Sequence, residues 1–138
     1  MGEAEEGAED EARHIALGRA GEELATHYLR DEGLKVLYRN FRAPNGGEVD
    51  IVCRHGEVLV FVEVKTRSSL DYGRPVEAVD REKQRLISRG ALGWLRLLGF
   101  PDDLLFRFDV VEVIAKEGEV PEIQRLEDVF QMPDEYFP

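Results

Sequence analysis

The sequence predicts an α/β domain in which a central mixed β-sheet is flanked by helices. Three observations predict it. Within Glu57–Thr66 every position from Val58 to Val62 is apolar, the pattern of a strand covered on both faces. Segments with helical periodicity lie on either side of that run, at about Arg13–Glu32 and Pro75–Leu98. The 138 residues suit a single domain whose core needs no staple, with no internal repeat.

Residues 2–12 are Glu, Asp, Ala and Gly with no large apolar side chain, so residues 1–12 are expected to be a disordered acidic tail, or at most a frayed helical extension. The first helix then runs from about Arg13 to Glu32, with Gly33 as its stop signal. Leu17, Gly21, Leu24 and Tyr28 form one apolar stripe; Ile15, Gly18, Glu22, Ala25 and Leu29 form the adjoining one. Glu22 therefore falls within the apolar face, whereas Glu23, His27 and Arg30 take the wet side. A coreward carboxylate is costly unless paired or metal-bound; the plainer alternative is a rim position beside an arginine.

Leu34–Phe41 reads as the first strand and Ala43-Pro44-Asn45-Gly46-Gly47 as a loop. The second and third strands follow, joined at His55-Gly56, a pair that suits a tight hairpin. Ser68–Arg74 is a polar loop, and Pro75 suits the first turn of the second helix. Val76, Val79, Leu86, Ile87, Gly90, Trp94 and Leu98 make that helix's expected buried face. Lys83 interrupts it, and its alkyl stem is expected to snorkel. A fourth strand spans Leu105–Ile114, where Arg107 and Asp109 share a face as an ion pair. Val120, Ile123, Leu126, Phe130, Tyr136 and Phe137 suggest a last strand or a docking segment.

The acids and bases inside the hairpin need a chemical reason. With residues 55 and 56 as the loop, Val52 pairs with Leu59, Asp50 with Phe61, Glu48 with Glu63 and Gly46 with Lys65. Residues two apart on a strand share a face, so Asp50, Glu63 and Lys65 converge, with Asp50 and Glu63 as diagonal neighbours roughly 7–8 Å apart at the backbone. Glu48 facing Glu63 would be unfavourable in a purely structural sheet, and a divalent cation removes the conflict. The bland alternative is a wet, frayed hairpin end paired with Lys65 or Arg67. Two hard oxygen ligands and one ammonium suit metal-assisted attack on a phosphodiester.

The net charge of −11 is concentrated at the ends. Residues 1–12 and 117–138 each carry −6, which leaves residues 13–116 at +1. From Lys65 to Arg89 seven bases face four acids, a strip able to hold a phosphate backbone or simply a solvated helix face. Cys53 has no partner and reads as a small core residue in a reducing compartment. His14, His27 and His55 lack zinc-ligand spacing. With no membrane-length apolar stretch and an acidic N-terminus unlike a signal peptide, the expectation is a cytoplasmic protein with no membrane partner.

Helix, three strands, helix, strand, carrying acid…Asp…Glu-x-Lys, resembles the PD-(D/E)xK nuclease superfamily. The closer resemblance is to the YraN-type family of bacterial predicted endonucleases, related to archaeal Holliday junction resolvases. It is carried by Gly18-Arg19-Ala20-Gly21-Glu22-Glu23-Leu24-Ala25, Arg39-Asn40, Gly47-Glu48-Val49-Asp50, Phe61-Val62-Glu63-Val64-Lys65-Thr66-Arg67, Lys83-Gln84 and Arg107-Phe108-Asp109-Val110-Val111. Val49 stands where the superfamily's name has proline. The resemblance implies a restriction-endonuclease-like core over residues 13–116, with 117–138 as an acidic segment of the same domain or a docking tail. It implies Glu22, Asp50 and Glu63 as acidic metal ligands, with Asp50, Glu63 and Lys65 as the catalytic set and Glu48 as a weaker fourth acid. The Val64 backbone carbonyl would join the shell of a Mg²⁺ ion, for which Mn²⁺ is the substitute. Arg67, Arg74, Lys83 and Gln84 would contact DNA. The expected activity is endonucleolytic hydrolysis of DNA, selective for branched structures and exerted by a homodimer. The competing expectation is a nuclease-fold module that binds nucleic acid or a protein partner without cutting.

Overall fold

A computed structural model describes residues 3–68 and 79–136. In chain order they form α1 (Glu3–Asp31), β1 (Lys35–Arg42), β2 (Glu48–His55), β3 (Val58–Arg67), α2 (Arg81–Leu97), β4 (Leu105–Ile114), β5 (Glu122–Leu126) and a short 3-10 turn (Asp134–Tyr136). The strands make one mixed sheet in the order β1-β2-β3-β4-β5. Only β3 and β4 are parallel, and α2 supplies the crossover that parallel neighbours require.

The helices cover opposite faces. Alternate residues of β2, β3 and β4 (Ile51, Cys53, Val60, Val62, Val111, Val113) meet Ala25 and Leu29 of α1. The residues between them (Val52, Leu59, Phe61, Phe108, Val110) meet Ile87, Ala91 and Leu95 of α2. Leu59 to Glu63 of β3 are consequently all buried, as a strand covered on both sides demands. Cys53 lies in the core under α1, where burial above all, and then Asp109, pushes its thiol up to about 12.

Both helices stop in the same way. Gly33 and Gly99 adopt φ of +90° and +75°. Leu34 N–H bonds Leu29 O at 2.9 Å and Phe100 N–H bonds Leu95 O at 3.0 Å, the closing pattern of a Schellman motif. Their starts differ from expectation. Helix α1 already begins at Glu3, so of the two expectations for the N-terminal stretch, tail or helical extension, the extension is found; Ala and Glu propagate helix well. Helix α2 begins at Arg81, because Asp80 caps it by accepting from Lys83 N–H at 2.9 Å. Pro75 and Val76 lie outside the described residues, and Val79, although buried, precedes the helix. Leu98, expected inward, caps the far end and is 47% exposed.

The described part of the C-terminal segment packs on the sheet. β5 pairs antiparallel with β4, and the Phe130 ring stacks on Phe108 at 4.4 Å. Among the described residues no helix is long and apolar enough to cross a membrane.

Candidate active site

Three local decisions bring the chemistry to one end of the sheet. The first is the hairpin. Gly56, at φ +63°, is the first residue of a two-residue loop closed by the pair His55–Val58. The loop is Gly56-Glu57 rather than His55-Gly56, so Val52 faces Phe61 and not Leu59. Moving the pairing by two positions leaves every side chain on its own face. Asp50, Glu63 and Lys65 therefore still converge. The paired ladder ends at Ile51–Val62, so Asp50 and Glu63 are the first residues beyond it on their two strands. Glu48, expected opposite Glu63, lies beyond the paired ladder, and Gly46, at φ +88°, serves the preceding turn.

The strands part where the acids begin. Val64 N–H donates to Asp50 Oδ2 at 2.8 Å, so a side chain takes up this backbone donor. Ile51 packs under α1 whereas Val49 packs under α2, which breaks the alternation of β2 at Asp50. Across from it, Asn40 adopts φ +54°, between Arg39 and Phe41, which pair with Ile51 and Val49. Asn tolerates this left-handed conformation better than most residues.

The second and third decisions are close approaches. A Cβ on Gly21 would overlap Thr66 Oγ1, so only glycine lets α1 lie this near the end of β3, and Glu22 comes with it. A Cβ on Gly90 would stand 2.8 Å from the Glu48 carbonyl carbon, so α2 presses against the start of β2. That contact swings Lys83, seven residues earlier, over the acids. Its ammonium stands 3.3 Å from Glu63 Oε1 and 3.7 Å from Glu48 Oε1. The chain thus directs Lys83 at carboxylates instead of snorkelling it into solvent.

Glu22, Asp50, Glu63, Val64, Lys65 and Arg67 line one cavity of about 600 Å³ beneath Leu17 and Gly18 of α1. Glu63 is 4% exposed. Burial first, and then the neighbouring Asp50, push its carboxyl up to about 8, against the pull of Lys83. Glu22 is also raised, by burial and by Asp50, while a hydrogen bond from Asn40 and the charge of Arg39 act the other way. Burial disfavours the Lys83 ammonium, yet Glu63, Asp50 and Glu48 outweigh it and hold that pKa above the ordinary value. Glu22 lines the cavity, and Arg39 stands 4.0 Å away, the arginine neighbour of the plainer rim reading.

The acids fit a hard cation by chemistry. The charge of Asp50 favours the protonated form of the neighbouring Glu63, a conflict that a bound cation would relieve. Among the described residues no three His, Cys, Asp or Glu side chains yet stand in metal-holding geometry. The remaining candidates are placed differently. Gln84 Nε2 donates to Val79 O at 3.1 Å, at the start of α2, and Arg74 lies outside the described residues. Lys83, Arg85 and Arg89 of the basic strip line a second cavity of about 600 Å³ along α2. Sequence reasoning missed Asn40 and Arg39 as neighbours of Glu22, and missed the partners of Lys83. The one signal for Lys83 was its interruption of an apolar stripe.

The chain matches the model of the family described as Uncharacterised protein family UPF0102 over residues 21–113, a stretch that contains Glu22, Asp50, Glu63, Lys65 and Lys83. A UPF0102 protein of Rhodococcus jostii is 45% identical over 119 residues, covering 86% of this chain and 99% of the relative. One from Geobacter metallireducens is 48% identical over 120 residues, covering 85% and 93%. One from Geobacter sulfurreducens is 46% identical over 116 residues, covering 84% and 89%.

Proposed function

The chain belongs to the UPF0102 family, and we propose that this member is a divalent-cation-dependent endonuclease that hydrolyses phosphodiester bonds in branched DNA. The observation that carries the reading is the meeting of Glu22, Asp50, Glu63 and Lys65 around one cavity. The resemblance to PD-(D/E)xK nucleases supports it, since those positions carry that motif.

Glu22, Asp50 and Glu63 would hold Mg²⁺, with the Val64 carbonyl as a further oxygen. A bound Mg²⁺ supplies a polarised water and offsets charge on the phosphate. The protein's own residues do the rest. The Val64 amide fixes the Asp50 carboxylate at 2.8 Å, so it is aimed before substrate arrives. Lys65 lines the same cavity, where its ammonium would meet a phosphate oxygen. Arg67, on the same wall, extends the positive surface along the backbone of the nucleic acid. On the resolvase resemblance, a homodimer would present two such cavities to a junction.

The test is to incubate the protein with four-way-junction, duplex and single-stranded DNA in Mg²⁺ or Mn²⁺. Junction cleavage is expected, reduced on the order of 10²–10³-fold in Lys65→Ala by the scale of one lost electrostatic stabiliser. It should be abolished in Asp50→Ala and Glu63→Ala. Cleavage unchanged in those two variants would refute the assignment.

The second reading is a nuclease-fold module that binds without cutting. The Lys83–Glu63 pair favours it, because a carboxylate already engaged by an ammonium is less available to a metal. Ion-dependent thermal stabilisation that disappears in Glu63→Ala separates the two. Salt-sensitive DNA affinity indifferent to metal would support the module.

A further inference from the structure

The ammonium that contacts the buried acid is not the motif lysine. Lys65 lines the cavity, but Lys83, from the other side of the sheet's end, makes the contact with Glu63 at 3.3 Å and reaches Glu48 at 3.7 Å. Its backbone is fixed as firmly as its head group, because Lys83 N–H is the donor that Asp80 caps at 2.9 Å. Gly90, pressed against Glu48, fixes the helix that carries it. The side chain is only 27% exposed, so the pair is shielded in part from competing water. The cap of α2 and its glycine contact involve no atom of the lysine side chain.

We propose that Lys83 is a positioning residue, a built-in counter-cation that holds the Glu63 carboxylate and competes with a divalent cation for it. The inference rests on the metal-site reading of Glu22, Asp50 and Glu63. Two cations within ion-pair distance of one carboxylate repel each other, so occupancy by one weakens occupancy by the other. The protein thereby keeps Glu63 paired when no metal is present, and a bound divalent cation would displace Lys83 from it. The cost is a weaker metal site than the same acids would otherwise make.

The experiment is a Mn²⁺ titration of the full-length chain, read by the electron paramagnetic resonance signal of the free ion. Wild type is compared with Lys83→Met, which keeps the stem and removes the charge, and with Lys83→Arg, which keeps both. Lys83→Met should bind Mn²⁺ about tenfold more tightly, with Lys83→Arg within about threefold of wild type, as charge competition in a half-shielded site requires. A residue that merely props up Glu63 predicts the opposite sign, so unchanged or weaker binding in Lys83→Met overturns the proposal. An absence of Mn²⁺ binding in all three proteins overturns the metal-site reading itself. A second measurement needs no substitution. In wild-type crystals soaked with Mn²⁺, Lys83 Nζ should stand beyond ion-pair distance of Glu63. Manganese density in the cavity beside an intact Lys83–Glu63 pair would overturn the competition.

Discussion

At the scale of single residues, Glu63 decides how the site behaves without metal. Its carboxyl is 4% exposed, and its proton is favoured first by burial and then by Asp50. It therefore holds a proton more tightly folded, with a pKa of about 8, than unfolded, near the ordinary 4.5. The stability this contributes is fully present below pH 4.5 and is lost as pH rises through about 8. Glu22 is raised too and adds to the same slope. The metal-free protein should accordingly lose on the order of a few kcal/mol across that window. Urea titrations at stepped pH check this, with Glu63→Gln flattening most of the slope because it has no proton to lose. Added Mg²⁺ should oppose the loss, since a cation favours the ionised acid. A Glu63→Gln curve parallel to wild type would mean that the proton resides elsewhere.

At the scale of elements, two glycines fix the distance of each helix from the sheet and hence the position of the chemistry each helix carries. Gly21→Ala gains about 1 kcal/mol of helix propensity yet forces a methyl into Thr66. The net effect should be a destabilisation of about 1–3 kcal/mol, measured by urea unfolding, together with weaker Mn²⁺ binding as Glu22 is pushed outward. Adding Thr66→Ala removes the overlapping hydroxyl and should recover part of both losses, a coupling that two independent sites would not show. This is also where the legibility of the sequence divides. The convergence of Asp50, Glu63 and Lys65 could be read from the chain because a strand's period of two survives a register shift of two. The strand pattern of Glu57–Thr66 and the Gly33 stop were legible for similarly local reasons. The approach of Lys83 to Glu63 was not, since it depends on Gly90 meeting Glu48, residues far apart in the chain. The start of α1 was misjudged because a lack of apolar residues argues against burial, not against helix.

At the scale of the whole molecule, one buried carboxylate ties the far parts of the chain together. Asp109 of β4 is 1% exposed and accepts from Arg107 at 2.9 and 3.2 Å, a two-pronged grip. Arg107 also reaches His55, beside the turn of the β2–β3 hairpin, at 3.2 Å. Arg125 of β5 stands 3.6 Å from the same carboxylate, and Asp128 N–H donates to it at 3.0 Å. The expected Arg107–Asp109 pair is thus the centre of a larger network that anchors β5 and the segment leading to Phe130. That segment completes the core under α2, where Met132 is 5% exposed. Asp109→Ala leaves two arginines facing an apolar gap and should cost about 3–5 kcal/mol, the scale for removing one member of a buried ion pair. The loss should be directional. Limited proteolysis is expected to cut the segment around residues 128–136 first, because the carboxylate that accepts from Asp128 N–H is gone. Asp109 does not line the acid cavity, so Mn²⁺ affinity of the folded variant should stay within about twofold of wild type. Uniform proteolysis across the chain would mean instead that the sheet melts as one unit, with the network contributing no separate hold on the C-terminal segment.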